Sequence, residues 1–158
     1  MRAGLIAFTS RGMALAERAQ AVLEQAGWQC STRRGGRQGV PLAQWTAQAF
    51  SQCQALVFVG AAGIAVRAVA PHLRHKAQDP AVLCLDENGR FAIPLVSGHI
   101  GGANALALLL GRGLGAVPVI TTATDGRGLF AVDTWAKGQG LAIGNPEKIK
   151  EVSGRLLE

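Results

Sequence analysis

The segment SGHIGGAN (97–104) places a hydroxyl, an imidazole, a carboxamide and three glycines directly against a run of helix formers, ALALLLG. Ser97 can cap that helix. Gly98, Gly101 and Gly102 can bare backbone N–H groups at the positive end of its dipole, which attracts carboxylate or phosphate. The missing side chains would let a bulky ligand rest against main chain. His99 among them offers an imidazole suited to proton transfer near neutral pH. A plainer reading has His99 only hydrogen-bonding a neighbouring loop. A helix start has little use for so many glycines, which favours the chemical reading.

Two other stretches carry polar groups at the ends of apolar runs. In VITTATDGRG, Thr121, Thr122 and Thr124 can hold ligand oxygens, and Asp125 can orient a water or a histidine. Helix capping explains the same residues nearly as well. In GAAGIAVR, Gly60 and Gly63 flank a helix start, and Arg67 just inside it can fork onto a carboxylate or face solvent. His72 and His75 share a helical spacing, but no third ligand is evident and Arg74 and Lys76 would repel a cation, so no metal site is expected. Neither GxGxxG after the first strand nor GxxxxGK[ST] is present, which argues against a standard nucleotide site.

The whole chain bounds these readings. At 158 residues and 49% apolar it can bury a substantial core, and its 21 glycines concentrate in loops between apolar runs. The net charge of +6 favours a polyanionic partner. STRRGGRQG (31–39), the dense basic cluster, lacks the interleaved aromatics that would point to nucleic acid, and none is expected. Cys30, Cys53 and Cys84 have no CxxC spacing, which fits a reducing compartment. No signal peptide or membrane span is expected, and the reading is a cytoplasmic protein.

These residues need elements to hold them. Strands are expected at 3–9, 28–33, 55–60 and 116–124. Helices are expected at 11–27, 42–51 and from Gly63 to about Ala70. AVLCLDENGRFAIPL (81–95) reads as two strands joined by a hairpin turning on Asn88-Gly89. NPEKIKEVSGRLL closes the chain as a helix, with Asn145 as cap and Ile149, Val152 and Leu156 on one face. The fold class is α/β, a mainly parallel sheet with helices on both faces and one β-hairpin. In such sheets ligands gather at the carboxyl ends of strands. The loops Thr9–Gly12, Gly60–Gly63, Ser97–Asn104 and Thr121–Gly128 each follow a strand, so they are expected to converge on one rim.

ALVFVGAAGIAVRAVAPHL, KAQDPAVLCLDENGRFAIPLVSGHIGGANALA and PVITTATD together resemble the CbiG family of cobalamin biosynthesis, the cobalt-precorrin-5A hydrolases. The likeness is dense from about Ala55 to Asp125 and looser beyond. It implies residues 1–125 as the amino-terminal α/β domain and 126–158 as the start of the family's middle region. It also implies a reaction: opening of the ring A δ-lactone of cobalt-precorrin-5A, with release of acetaldehyde to give cobalt-precorrin-5B. The cobalt then belongs to an acidic corrinoid substrate, and no enzyme cofactor is implied. Under this resemblance His99 is the first choice of base and Asp125 the second. The substrate contacts are Gly60, Gly63, Arg67, Ser97, Gly98, Gly101, Gly102, Asn104, Thr121, Thr122 and Thr124. Nothing in the sequence resembles the family's carboxy-terminal domain. A separate chain could supply it, and the alternative function is a non-catalytic corrinoid-binding or partner-docking half.

Overall fold

A computed structural model describes residues 1–75 and 78–122, with positions 136, 139, 144, 145, 148 and 151 beyond them. The elements run β1 (Arg2–Ala7), α1 (Ser10–Gln25), β2 (Gln29–Arg34), α2 (Leu42–Gln52), β3 (Ala55–Val59) and α3 (Ala62–Val69). A 3₁₀ turn (Ala70–His72) then leads to β4 (Ala81–Leu85), β5 (Phe91–Val96), α4 (Ala103–Leu114) and β6 (Val117–Pro118). The strands form one sheet in the order β2-β1-β3-β4-β5-β6. The first four are mutually parallel, β5 is antiparallel to β4, and β6 is parallel to β5. This is the mixed α/β architecture read from the sequence.

The pleat explains why β3 and β4 are apolar at every position. Alternate side chains enter opposite cores, so a strand covered on both faces has no polar side. Leu5, Val57 and Leu83 pack with Leu15 and Leu23 of α1 and Leu106 and Leu110 of α4. Ile6, Leu56, Phe58 and Val82 pack on the other face with Trp45 and Ala49 of α2 and Ala65 and Val69 of α3. Trp45 and Phe58 meet edge to face at 5.5 Å.

The β4–β5 connection decides where the later loops lie. Asp86–Gly89 form a four-residue turn closed by the Gly89 N–H on the Asp86 carbonyl at 2.8 Å. Its central residues are Glu87 and Asn88, so the turn is displaced by one from the expected Asn88-Gly89 pair. Aspartate first and glycine last suit a type I turn better than a two-residue hairpin loop. The Asp86 carboxylate fixes it, accepting N–H groups from Arg90 and Phe91 at 2.7 Å each and from Asn88 at 3.2 Å. A connection this short joins only antiparallel strands, so β5 runs back toward the edge where β1, β3 and β4 begin. The last paired strand is shorter than the expected 116–124. Pro118 brings no N–H to the ladder, and only the Val119 N–H, on the Ala92 carbonyl at 2.9 Å, extends it.

By its internal contacts the chain divides into Met1–Val119 and Ile120–Glu158. In the second unit Ala136 is buried. Lys148 donates its N–H to the Asn145 carbonyl at 3.0 Å and pairs with Glu151 at 2.8 Å. The expected face of Ile149, Val152 and Leu156 lies outside the described residues. Among the described residues no helix is long and apolar enough to cross a membrane.

Candidate functional site

The hairpin overturns the expected convergence on one rim. Gly60 leaves β3 at the carboxyl edge, where its N–H donates to the Leu85 carbonyl at 2.9 Å. Ser97 leaves β5 beyond Val96, which pairs with Val82 near the start of β4. Gly60 and Ser97 therefore sit at opposite ends of the buried strands, separated by roughly 16 Å for five residues of strand. The Gly60–Gly63 and Ser97–Asn104 loops do not line a single site. Arg67 lies in the last turn of α3, the short crossover helix that follows the carboxyl edge, and is exposed.

The loop from Ser97 to Gly102 folds on itself to cap α4. The Ser97 carbonyl accepts the Ala103 N–H at 3.1 Å, the Gly98 carbonyl accepts the Asn104 N–H at 3.0 Å, and the His99 carbonyl accepts the Gly102 N–H at 3.0 Å. The cap residue is Gly102, at φ 89°, rather than Ser97. The N–H groups of Gly102, Ala103 and Asn104 are therefore spent within the loop, and of the three glycine N–H groups expected to face a ligand it is Gly102's that is engaged in this way. Two glycines have an equally local cause. A Cβ on Gly101 would stand 2.2 Å from the Ser97 Cβ, and one on Gly98 would stand 2.9 Å from Asn104 Oδ1. Both positions are glycine because the loop closes on Ser97 and Asn104, whatever else approaches them.

His99 lies half-buried in the middle of this turn, and Asn104, in the first turn of α4, is buried. Ser97 is buried, its hydroxyl has no hydrogen-bond partner among the described residues, and its backbone adopts φ 58°. No other described residue except glycine has positive φ. Thr121 is exposed and Thr122 half-buried in the second unit. Thr124 and Asp125 lie outside the described residues.

The carboxyl edge is tied together internally. The Thr9 hydroxyl caps α1 by accepting the Gly12 N–H at 2.9 Å and itself donates to the Glu87 carboxylate. A carboxylate of the chain itself thus occupies the positive end of α1, where an open α/β sheet often holds an anion. The Cys84 thiol donates to the Gly60 carbonyl at 3.3 Å. Burial, and then the charge of Asp86, push its pKa up to about 11, so it is a protonated thiol at neutral pH. Gly63 has open space around the position a Cβ would take.

Sequence reasoning passed over two carboxylates. Glu87 serves the Thr9 contact, and a bond spanning 78 residues leaves no local signal. Asp79 is buried and accepts the Arg74 N–H with both oxygens at 3.1 Å, locking the turn before β4; the Asp-Pro pair was its available signal. His72 is half-buried with its ring 5.7 Å from Phe50, a packing contact. Among the described residues no three His, Cys, Asp or Glu side chains gather as a metal site.

Comparison with known proteins adds to this geometry. Residues 44–125, which hold β3 through β6 and the whole Ser97–Asn104 loop, match the family described as cobalamin synthesis G N-terminal. The chain is 46% identical over 138 residues to a cobalt-precorrin-5A hydrolase of Salmonella typhimurium, covering 84% of this chain and 38% of that protein. It is 38% identical over 108 residues to a cobalt-precorrin-5A hydrolase of Priestia megaterium, covering 68% and 29%. A solved structure of a cobalamin biosynthesis protein G homolog from Sulfolobus solfataricus superposes with a TM-score of 0.65 at 26% identity, over 98% of this chain and 45% of that one. The chain thus spans less than two fifths of the curated relatives it matches.

Proposed function

Because the chain belongs to the cobalamin synthesis G N-terminal family, we propose that it acts in corrin ring assembly as a cobalt-precorrin-5A hydrolase, with its reactive groups at the amino edge of the sheet. The observation that carries this reading is the 46% identity to such a hydrolase across 84% of the chain. The matched segment contains the self-capped Ser97–Gly102 loop. The net charge of +6 suits a macrocycle rimmed with carboxylates. Cobalt enters as part of that substrate.

In the reaction, His99 takes a proton from water as the oxygen attacks the carbonyl of the ring A δ-lactone. The tetrahedral oxyanion collapses, the ring C–O bond breaks, and a carboxylate and an alcohol result. Loss of the alcohol proton then drives a retro-aldol cleavage. The carbon–carbon bond to the macrocycle breaks, acetaldehyde leaves, and the electron pair passes into the conjugated ring, which takes up a proton. Arg67, exposed in the last turn of α3, would hold a peripheral carboxylate. Gly102 and Asn104 contribute through the turn they shape, since their N–H groups are already engaged. On this reading Gly60 and Gly63, on the opposite edge, are not counted among the substrate contacts.

The test is anaerobic incubation of the purified chain with cobalt-precorrin-5A, following macrocycle mass and trapping acetaldehyde. Deacetylated product with acetaldehyde supports the reading, and a His99→Ala variant should then lose about 100-fold or more in rate. A second reading is favoured by the share of each relative that the chain spans, 38% and 29%. On that reading the chain holds the corrinoid and a separate chain completes the enzyme. Binding without product from the chain alone supports this second reading.

A further inference from the structure

Two buried side-chain polar atoms lack a hydrogen-bond partner among the described residues, Arg34 Nε and Ser97 Oγ. They are not equivalent. Arg34 is half-buried at the end of β2, and its guanidinium has further N–H groups to give to solvent. Ser97 is 9% exposed, its hydroxyl is its only side-chain polar group, and its backbone is held in the left-handed region at φ 58°. Backbone strain and an unsatisfied buried hydroxyl on one residue are two separate costs, and such residues cluster where a ligand compensates them.

A strained serine between a strand and a helix is also the layout of a nucleophile elbow, but there the Oγ is exposed and bonded to a base. Here the Oγ is covered and bonded to no imidazole. Ser97 is therefore arranged to bind rather than to attack. Its cover is Gly101, where a Cβ would lie 2.2 Å from the Ser97 Cβ and 3.2 Å from its Oγ. The carbonyls of Ser97, Gly98 and His99 already serve the N–H groups of Ala103, Asn104 and Gly102. The hydroxyl has no partner of either kind among the described residues, and the positive end of α4, twelve residues long, favours an anionic acceptor for its proton.

We propose that Ser97 is a carboxylate-binding residue: the glycine turn lifts from it on binding, and its hydroxyl donates to a carboxylate oxygen at the corrinoid periphery. This rests on the corrinoid reading above. The experiment titrates cobyrinic acid, a cobalt corrinoid with free side-chain carboxylates, and its full methyl ester against wild type, Ser97→Ala and Ser97→Gly. Wild type is expected to bind the acid, and both variants to bind it about tenfold more weakly. Affinity for the ester should be the same in all three. Ser97→Gly, freed of both costs, should melt higher than wild type by roughly 3 °C or more. Equal affinity of wild type and Ser97→Ala for the acid would overturn the role of Ser97 and leave the corrinoid reading standing. Failure of wild type to bind either corrinoid would overturn that reading and this inference with it. A Ser97→Gly protein that melts below wild type would identify a structural serine and overturn the inference alone.

Discussion

The two edges of the sheet are built on opposite terms. At the carboxyl edge the chain largely answers itself: Thr9 caps α1 and reaches Glu87, Asp86 gathers three N–H groups, and Gly60 takes the Cys84 thiol. At the amino edge a loop spends its backbone groups on its own helix and leaves a strained serine with an unsatisfied hydroxyl beside a half-buried histidine. Open α/β sheets usually bind ligands at the carboxyl ends of their strands. In this molecule the two buried polar atoms without a partner among the described residues divide between the edges, Arg34 Nε at the end of β2 and Ser97 Oγ beyond β5. Only Ser97 also carries a strained backbone, and it lies at the amino edge because a hairpin turned the chain around before the glycine-rich loop.

Substitutions on the two edges can break that contrast. The largest effect is expected from Gly101→Ala, whose new Cβ would overlap Ser97 and Cβ-adjacent backbone. Overpacking of this kind should cost about 2–3 kcal/mol in chemical denaturation. A Gly101→Ala protein as stable as wild type would mean that the loop does not close on Ser97. Next comes Thr9→Ala, which removes the cap of α1 and the tie to Glu87. It should cost about 1–2 kcal/mol while corrinoid affinity stays at the wild-type value. A large loss of affinity would move the site to the carboxyl edge. Smallest is Gly63→Ala, where a Cβ meets nothing within 4 Å in the first turn of α3. It should stabilise by up to ~1 kcal/mol, again with unchanged affinity, and weaker binding would return Gly63 to the substrate contacts.

Much of the fold was legible because it follows from local pattern. ALVFV and AVLCL have no polar face and must be covered on both sides, and α1 shows its buried stripe of Leu15, Ala19 and Leu23 at helical spacing. The hairpin was legible too, but its consequence was not followed: once β5 is antiparallel, everything after Val96 emerges at the opposite edge. The site was legible as composition and not as geometry. SGHIGGAN announced a tight glycine turn around a histidine. That Gly98 and Gly101 answer to Asn104 and Ser97 is a matter of packing inside the loop, which spacing does not encode. Nor does sequence mark a serine for positive φ, a conformation more usual for glycine or asparagine. The Thr9–Glu87 bond joins residues that only the completed sheet brings together.

The most direct test of the amino-edge site is hydrogen exchange of the wild-type chain with and without saturating cobyrinic acid. The account expects altered exchange in peptides covering Ser97–Asn104, where the turn lifts and ligand takes its place, with Thr9–Gly12 and Gly60–Gly63 unchanged. Protection confined to Thr9–Gly12 and Gly60–Gly63, with the Ser97–Asn104 loop unaffected, would contradict it.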